Sequence, residues 1–278
     1  MMPISIVTPS YRSSNWLKLC IASVADQGVG AEHIVQDAGS DDGTLDWLPK
    51  DPRVKAFVEP DQGMYDAVNR GMRRAGGDIL AYLNCDEQYL PGALKEVICF
   101  FEAHPEIDVL FGNVVLVDSA GLYLAHRKVQ VPLLYHTWTC HLSTLSCAMF
   151  FRRRLVTDHG LFFDTRWRDV GDGEWMVRAL RQRTKMAALG QFTSAFTCTG
   201  ANMSAGSNAK RERRELFQSA PFPARALKPL IILHHRVRKW LGGMYAQKPF
   251  SYEIFMPQIP DRRKSFDVMR PNFRWPAT

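Results

Sequence analysis

Between Ile4 and Leu83 short β-branched apolar runs alternate with segments of helical apolar spacing, and this limits the fold more than any other feature. The runs are Ile4 to Thr8, His33 to Gln36, Val54 to Val58 and Ile79 to Leu83. Between the first two, Trp16, Leu17, Cys20, Ile21 and Val24 recur on one helical face, with Ser13 or Ser14 placed to cap it. Before the fourth, Gly63 to Ala75 carries Met64, Ala67, Val68, Gly71 and Met72 on one face and stops at Gly76-Gly77. Strands alternating with helices predict an α/β fold with a mostly parallel sheet covered on both faces. In such sheets ligands bind beyond the carboxyl ends of the strands.

Three polar segments fall at those ends: Thr8-Pro9-Ser10-Tyr11-Arg12, Asp37-Ala38-Gly39-Ser40-Asp41-Asp42-Gly43-Thr44 and Asn84-Cys85-Asp86-Glu87. The second reads by itself as an Asx-type turn leading to a helix cap. That does not explain why acids also follow the fourth strand, since crowded carboxylates repel unless a cation lies among them. Mg²⁺ or Mn²⁺ meets the need, because these ions take one or two carboxylates and complete their shells with water and phosphate oxygens.

The same residues, with Glu59-Pro60-Asp61-Gln62-Gly63-Met64-Tyr65-Asp66-Ala67-Val68-Asn69-Arg70-Gly71, resemble family 2 glycosyltransferases of the GT-A fold. The nearest flavour is the bacterial enzymes that build exopolysaccharides and lipid-linked oligosaccharides. The resemblance implies a Rossmann-like mixed sheet flanked by helices, a nucleotide-diphosphate sugar donor with UDP favoured, a divalent metal, and inversion at the anomeric carbon. It implies a glycan or polyprenyl-linked acceptor. Thr8, Pro9 and Tyr11 would line the nucleobase pocket, and Asp37 would accept a hydrogen bond from a base N–H. Asn84-Cys85-Asp86 occupies the Asp-x-Asp position, with Asp86 on the metal and Asn84 at the ribose or a metal-bound water. Asp66 and Asn69 would lie near the donor; without the resemblance they read as helix surface and cap. The chain departs from the pattern at Asn84, Glu87 and Ala38, where aspartates are common.

After Pro91 the alternation weakens. A helix is expected over Leu94 to Phe101 and strands over Val109 to Val117, Leu122 to Val129 and Cys147 to Phe151. Arg168-Asp169-Val170-Gly171-Asp172-Gly173-Glu174-Trp175 then opens a helix, where paired acids are often cap chemistry. The family carries its acidic pair here, before an apolar helix ending in Arg and Leu, and Arg178-Ala179-Leu180 fits. The resemblance makes Asp172 the general base and Glu174 its support, with Asp169 competing.

The net charge of +7 is uneven. Residues 210–278 hold 15 Lys/Arg against 5 Asp/Glu, so the basic character belongs to the tail and the remainder is slightly acidic. The chain divides on this reading into a catalytic domain over 1–205 (nucleotide half 1–90, acceptor half 91–205) and a basic, helical or irregular extension over 206–278. Thr199 to Ser207, rich in small residues, reads as a mobile loop, and the resemblance implies a lid over the acceptor cleft. Residues 227–241 mix Leu, Ile and Trp240 with a cationic cluster, the composition of a helix lying on an anionic membrane or packed on the catalytic domain. No basic region precedes the first strand, no run is long enough to span a membrane, and the six cysteines form no Cys-x-x-Cys pair. These features predict a cytoplasmic protein with reduced thiols, peripheral on the membrane at most.

Two other functions compete. A nucleotidyltransferase would want a glycine- and lysine-rich phosphate loop after the first strand, and residues 8–14 contain neither Gly nor Lys. A basic RNA-binding protein would carry interleaved aromatics on a folded basic face, whereas the well-patterned domain is acidic; no nucleic-acid partner is expected.

Overall fold

The computed structural model describes residues 1–200 and 206–275. The first half follows the alternation: β1 (Ile4–Ser10), α1 (Ser14–Ala25), β2 (Glu32–Asp37), a short α2 (Thr44–Trp47), β3 (Lys55–Val58), α3 (Met64–Arg74) and β4 (Ile79–Tyr82). The second half adds β5 (Glu87–Tyr89), α4 (Ala93–Ala103), β6 (Val109–Asp118), β7 (Tyr123–Arg127), α5 (Leu134–Thr139), β8 (Met149–Arg152), α6 (Arg154–Thr157), α7 (Gly171–Arg181) and β9 (Met186–Cys198). Beyond these lie α8 (Ser207–Ser219), α9 (Phe222–Ala226), α10 (Lys228–Leu241), β10 (Phe250–Met256) and β11 (Ile259–Val268).

The main sheet runs β3-β2-β1-β4-β8-β6-β9-β5, and β7 pairs with β6. Strands β1 to β4, β6 and β9 share one direction, while β5, β7 and β8 oppose them. The mixed, mostly parallel α/β sheet is therefore present. β8 pairs with β6 only as far as Phe111, and β7 takes over the same side from Val114. β8 thus lies against the amino-terminal half of β6 and β7 against its carboxyl-terminal half.

Alternation along the strands divides the core. Ile4, Ile6, Ile79 and Ala81 pack with α4 on one face, whereas Val7, Leu80 and Tyr82 pack with α3 and α7 on the other. On α7 the apolar side buries Trp175, Met176 and Ala179, and full burial of a side chain such as Met176 contributes about 1.5–3 kcal/mol. Gly71 lets α3 press onto β1, since a Cβ there would collide with the methyl groups of Val7.

Several expectations are corrected. The first turn of α1 is capped by neither serine: the Ser13 hydroxyl donates to the Tyr11 carbonyl, and Asp42 accepts from the Ser14 N–H at 2.9 Å. β9 was not foreseen, because Met186 to Cys198 holds Gly190 and small residues without clean alternation. It nevertheless forms the parallel neighbour of β6. Residues 206–278, expected to be helical or irregular, also contain strands. β10 and β11 form an antiparallel hairpin whose Tyr252, Ile254, Met256 and Val268 share a buried cluster with Leu90, Val115, Val117 and Ala195. Arg263 anchors it through a paired contact with Asp26 at 2.6 Å. The hairpin thus shares its buried face with β6 and β9 across residue 205.

Candidate active site

A cleft of about 1440 Å³ opens along the carboxyl edge of the sheet. Pro9, Tyr11, Ala38, Asp61, Asn84, Cys85 and Asp86 line one side, and Asp169, Asp172 and Gly173 another. Backbone geometry explains the convergence. β1 and β4 are hydrogen-bonded neighbours, so the segments that follow them emerge side by side, and the start of α7 faces them through Tyr65.

The segment after β4 brings Asp86 to the wall with Glu87 buried next to it. Burial raises the pKa of Asp86, and burial together with the Asp86 charge raises that of Glu87. Glu87 uses one carboxylate oxygen to accept the Asn84 N–H at 2.8 Å. Its other oxygen, and the Asn84 side-chain oxygen, are buried without a hydrogen-bond partner. Orphaned acceptors beside a desolvated acid suit an oxygen-preferring cation, and that is the fit Mg²⁺ or Mn²⁺ requires. Among the described residues no three His, Cys, Asp or Glu side chains come together as a complete metal cage. The cysteine at the centre is inert: burial keeps the Cys85 thiol protonated and it donates to the Pro9 carbonyl.

The helix α7 delivers the opposing acid. Asp172 lines the cleft, its backbone N–H donates to the Tyr65 hydroxyl at 3.0 Å, and burial raises its pKa. A carboxylate made more basic in this way is better matched to taking a proton near neutral pH. Tyr65 is itself fixed by stacking on Phe163, with ring centroids 5.1 Å apart. Gly171 leaves room for it, since a Cβ there would lie 2.6 Å from the tyrosine ring. Glu212 of α8 has no sequence signature and fixes this whole turn. It is buried and accepts the consecutive backbone N–H groups of Arg168, Asp169 and Val170 at 2.8, 2.9 and 3.1 Å. Those N–H groups would otherwise lack partners at a helix start.

Five of the residues singled out from the sequence do not face the cleft. Asp37 is fully buried and accepts four hydrogen bonds, from Gly39 N, Ser40 N, Ser10 Oγ and Ser40 Oγ, at 2.7–2.9 Å. A carboxylate offers about four lone-pair sites, so none remains for a nucleobase N–H. The Asx-turn reading describes it, and Ala38 presents the loop to the cleft instead. Thr8 is buried with its hydroxyl on His33 Nε2. Asn69 clamps Phe163, donating to its carbonyl at 2.8 Å and accepting its N–H at 2.9 Å. Asp66 accepts from the Gln62 N–H and pairs with Arg70 at the start of α3. Glu174 pairs with Arg178, one turn along α7 and away from the cleft. Asp61, within the segment from Glu59 to Gly71, also lines the cleft, and burial raises its pKa. Residues 201–205 of the expected lid lie outside the described residues.

Comparison with known proteins agrees with this geometry. The family profile described as Glycosyl transferase family 2 matches residues 5–161. A PGL/p-HBAD biosynthesis glycosyltransferase of Mycobacterium bovis is 31% identical over 185 residues, covering 63% of this chain and 68% of the relative. Among solved structures, S. aureus TarS 1-349 in complex with UDP-GlcNAc superposes with a TM-score of 0.64 at 20% identity, over 86% of this chain and 73% of that one. The mannosyltransferase PcManGT from Pyrobaculum calidifontis, in complex with GDP-Man and Mn²⁺, gives 0.56 at 14% identity, over 87% and 83%.

Proposed function

This chain belongs to glycosyl transferase family 2, and on that premise we propose that it is an inverting, metal-dependent enzyme. It would move a sugar from a UDP-sugar to a hydroxyl of a glycan or polyprenyl-linked acceptor. The observation that carries the proposal is one cleft lined by both Asp86, with its orphaned acceptor neighbours, and Asp172. Asp86 would hold Mg²⁺ or Mn²⁺, with Asn84 beside it. When bound, that ion supplies Lewis-acid neutralisation of charge on the departing diphosphate. Tyr11, 53% exposed at the cleft wall, offers a ring for a nucleobase to stack on. Asp61 takes over the base-reading role that the saturated Asp37 cannot fill. Asp172 accepts the proton of the acceptor hydroxyl as the new bond forms. The test is release of UDP from a panel of UDP-sugars with and without EDTA. Release that EDTA abolishes is the expected result; release insensitive to EDTA would sink the metal requirement, and no release from any UDP-sugar would sink the donor assignment.

The membrane partner rests on α10. No helix among the described residues is long and apolar enough to cross a membrane. Leu227, Leu230, Leu233, Val237, Trp240 and Leu241 are nevertheless all exposed, at helical spacing, along and just before this helix. No Asp or Glu occurs from 216 to 252, so an anionic surface meets no opposing charge in that stretch. Each basic residue near such a surface adds about 1 kcal/mol. Co-sedimentation with anionic vesicles at low salt is expected, and Trp240→Glu with Leu230→Glu should reduce the bound fraction at least about tenfold, from lost apolar burial. Equal binding by the double variant would remove α10 from the membrane.

A further inference from the structure

The helices α1, α3, α4 and α7 each bury five or more residues, whereas α10 buries one of its 14, His235. That ring stacks on His136 of α5, with centroids 3.7 Å apart and planes 17° from parallel. His141 stands edge-on to His136 at 4.8 Å. His136 is buried as well, and Nδ1 of both stacked rings lacks a hydrogen-bond partner. A proton added there would meet no acceptor. The other ties of α10 do not titrate near neutral pH. Arg238 donates to the Val131 carbonyl at 2.8 Å, and Gln130 donates to the Arg238 carbonyl at 3.2 Å.

Every group that acts on the stack disfavours a positive ring. Lys239, Arg238 and His234 of α10 act on His235 together with His141, and His136 feels His235, His141 and Lys239. His141 in turn feels Lys239, Arg127 of β7 and Arg213 of α8. α5 also packs against α7, α8 and α9. From α7, Arg181 lies over the Trp138 ring of α5 at 5.3 Å, and from α9 comes Arg225. The acids of these helices are engaged elsewhere or point outward. Asp172 lies against Tyr65, Glu174 pairs with Arg178, Glu212 holds the turn before α7, and Glu215 is exposed. Burial first, and then the neighbouring groups, lower the pKa of His136 to about 3 and of His235 to about 4.

We propose that α10 is an acid-released arm, latched to α5 by the neutral stack of His136 on His235. Lys239 of α10 lines the cleft, so release of the arm removes part of the cleft wall. The latch goes beyond the sugar-transfer reading and holds whatever sugar the cleft takes. Release costs little on the outer side, where Leu230, Leu233, Val237 and Trp240 are already exposed. Proton linkage gives the direction. A released His235 takes a proton near its ordinary value of about 6.5, whereas the docked ring refuses it. Docking is therefore at full strength above about pH 6.5 and weakens about tenfold for each unit below, until the lowered docked value is reached. His136 remains on α5 and adds up to a further tenfold per unit as release uncovers it.

Hydrogen–deuterium exchange of the full chain, corrected for the intrinsic pH dependence of amide exchange, tests the arm. A helix this short is marginal on its own, so a released α10 loses protection. From about pH 7.5 to about pH 5.5, protection over 228–241 should fall at least about tenfold while that of β1 and β4 holds. Constant protection over 228–241 overturns the latch. A loss shared equally by β1 and β4 also overturns it, since that is acid unfolding of the whole domain. His235→Phe keeps an aromatic ring on His136 but binds no proton, and it should shrink the fall about tenfold. His136→Phe makes the same comparison from α5. A fall as large as that of wild type in both variants overturns the assignment to this pair. Protection of β1 and β4 at pH 7.5 shows whether each variant folds, and the wild-type series decides the latch without them. Exchange reads no catalysis, so a failure of the sugar-transfer reading leaves this result standing.

Discussion

Replacing Asp172 by Asn should lower sugar transfer by roughly 10²–10⁴-fold, the usual contribution of a positioned general base. The substitution is isosteric and changes little else. The Tyr65 hydroxyl accepts the backbone N–H of Asp172, and its interaction with the carboxylate can pass to the amide oxygen, so the start of α7 stays in place in the variant. The Glu212 bonds to Arg168, Asp169 and Val170 are likewise backbone contacts and survive. Donor binding should therefore be retained while kcat falls, the signature of a group that acts in the transition state. Asp169→Asn, measured side by side, should have the smaller effect and decides between the two acids, since each carboxylate already accepts one hydrogen bond, Asp169 from Asn208 at 2.9 Å and Asp172 from the Gly173 N–H at 2.8 Å. Full turnover in Asp172→Asn, with loss in Asp169→Asn, would transfer the role to Asp169.

The second large effect is expected at Asp86. Asp86→Ala should cost about 10²–10³-fold in transfer, the scale on which removing stabilisation of a departing anion is felt. It should also abolish the strengthening of UDP binding by Mn²⁺ in calorimetry. Stability gives the control. The Asp86 charge is among the causes that raise the Glu87 pKa, so removing it relieves repulsion in a buried site. The variant should consequently melt no lower than wild type in the absence of metal. Loss of activity together with a lower melting temperature would point to damaged folding, and Mn²⁺-dependent UDP binding that persists in Asp86→Ala would place the cation elsewhere.

Much of the framework was legible. β1, β2 and β4 announced themselves by β-branched runs, because a strand buried on both faces needs apolar residues at every position. The polar segments that follow had to reach the same edge once those strands ran parallel. Pro9, Tyr11, Asn84, Cys85, Asp86 and Asp172 do line the cleft. Less was legible where local pattern is weak. β9 holds Gly190 in mid-strand, and Asn113 Nδ2 donates to the Gly190 carbonyl where the register of β6 and β9 shifts. β10 and β11 read as charged tail because β11 carries Asp261, Arg262, Arg263 and Lys264 in succession. Only the surface waiting on β6 and β9 shows which side of that hairpin is buried.

By itself the sequence determined that polar segments follow the strands of a mostly parallel sheet, since the strand–helix alternation and the requirement to bury apolar faces carry that much. Only the tertiary structure decided which polar side chains turn into the cleft. Asn69 is claimed by Phe163, 94 residues away, and Thr8 by His33, 25 residues later. Arg127 and Lys239 come together from β7 and α10 with no motif to mark them. The physical reason is that a hydrogen-bonding group is spoken for, or left available, by partners that arrive through folding, and local spacing carries no record of them.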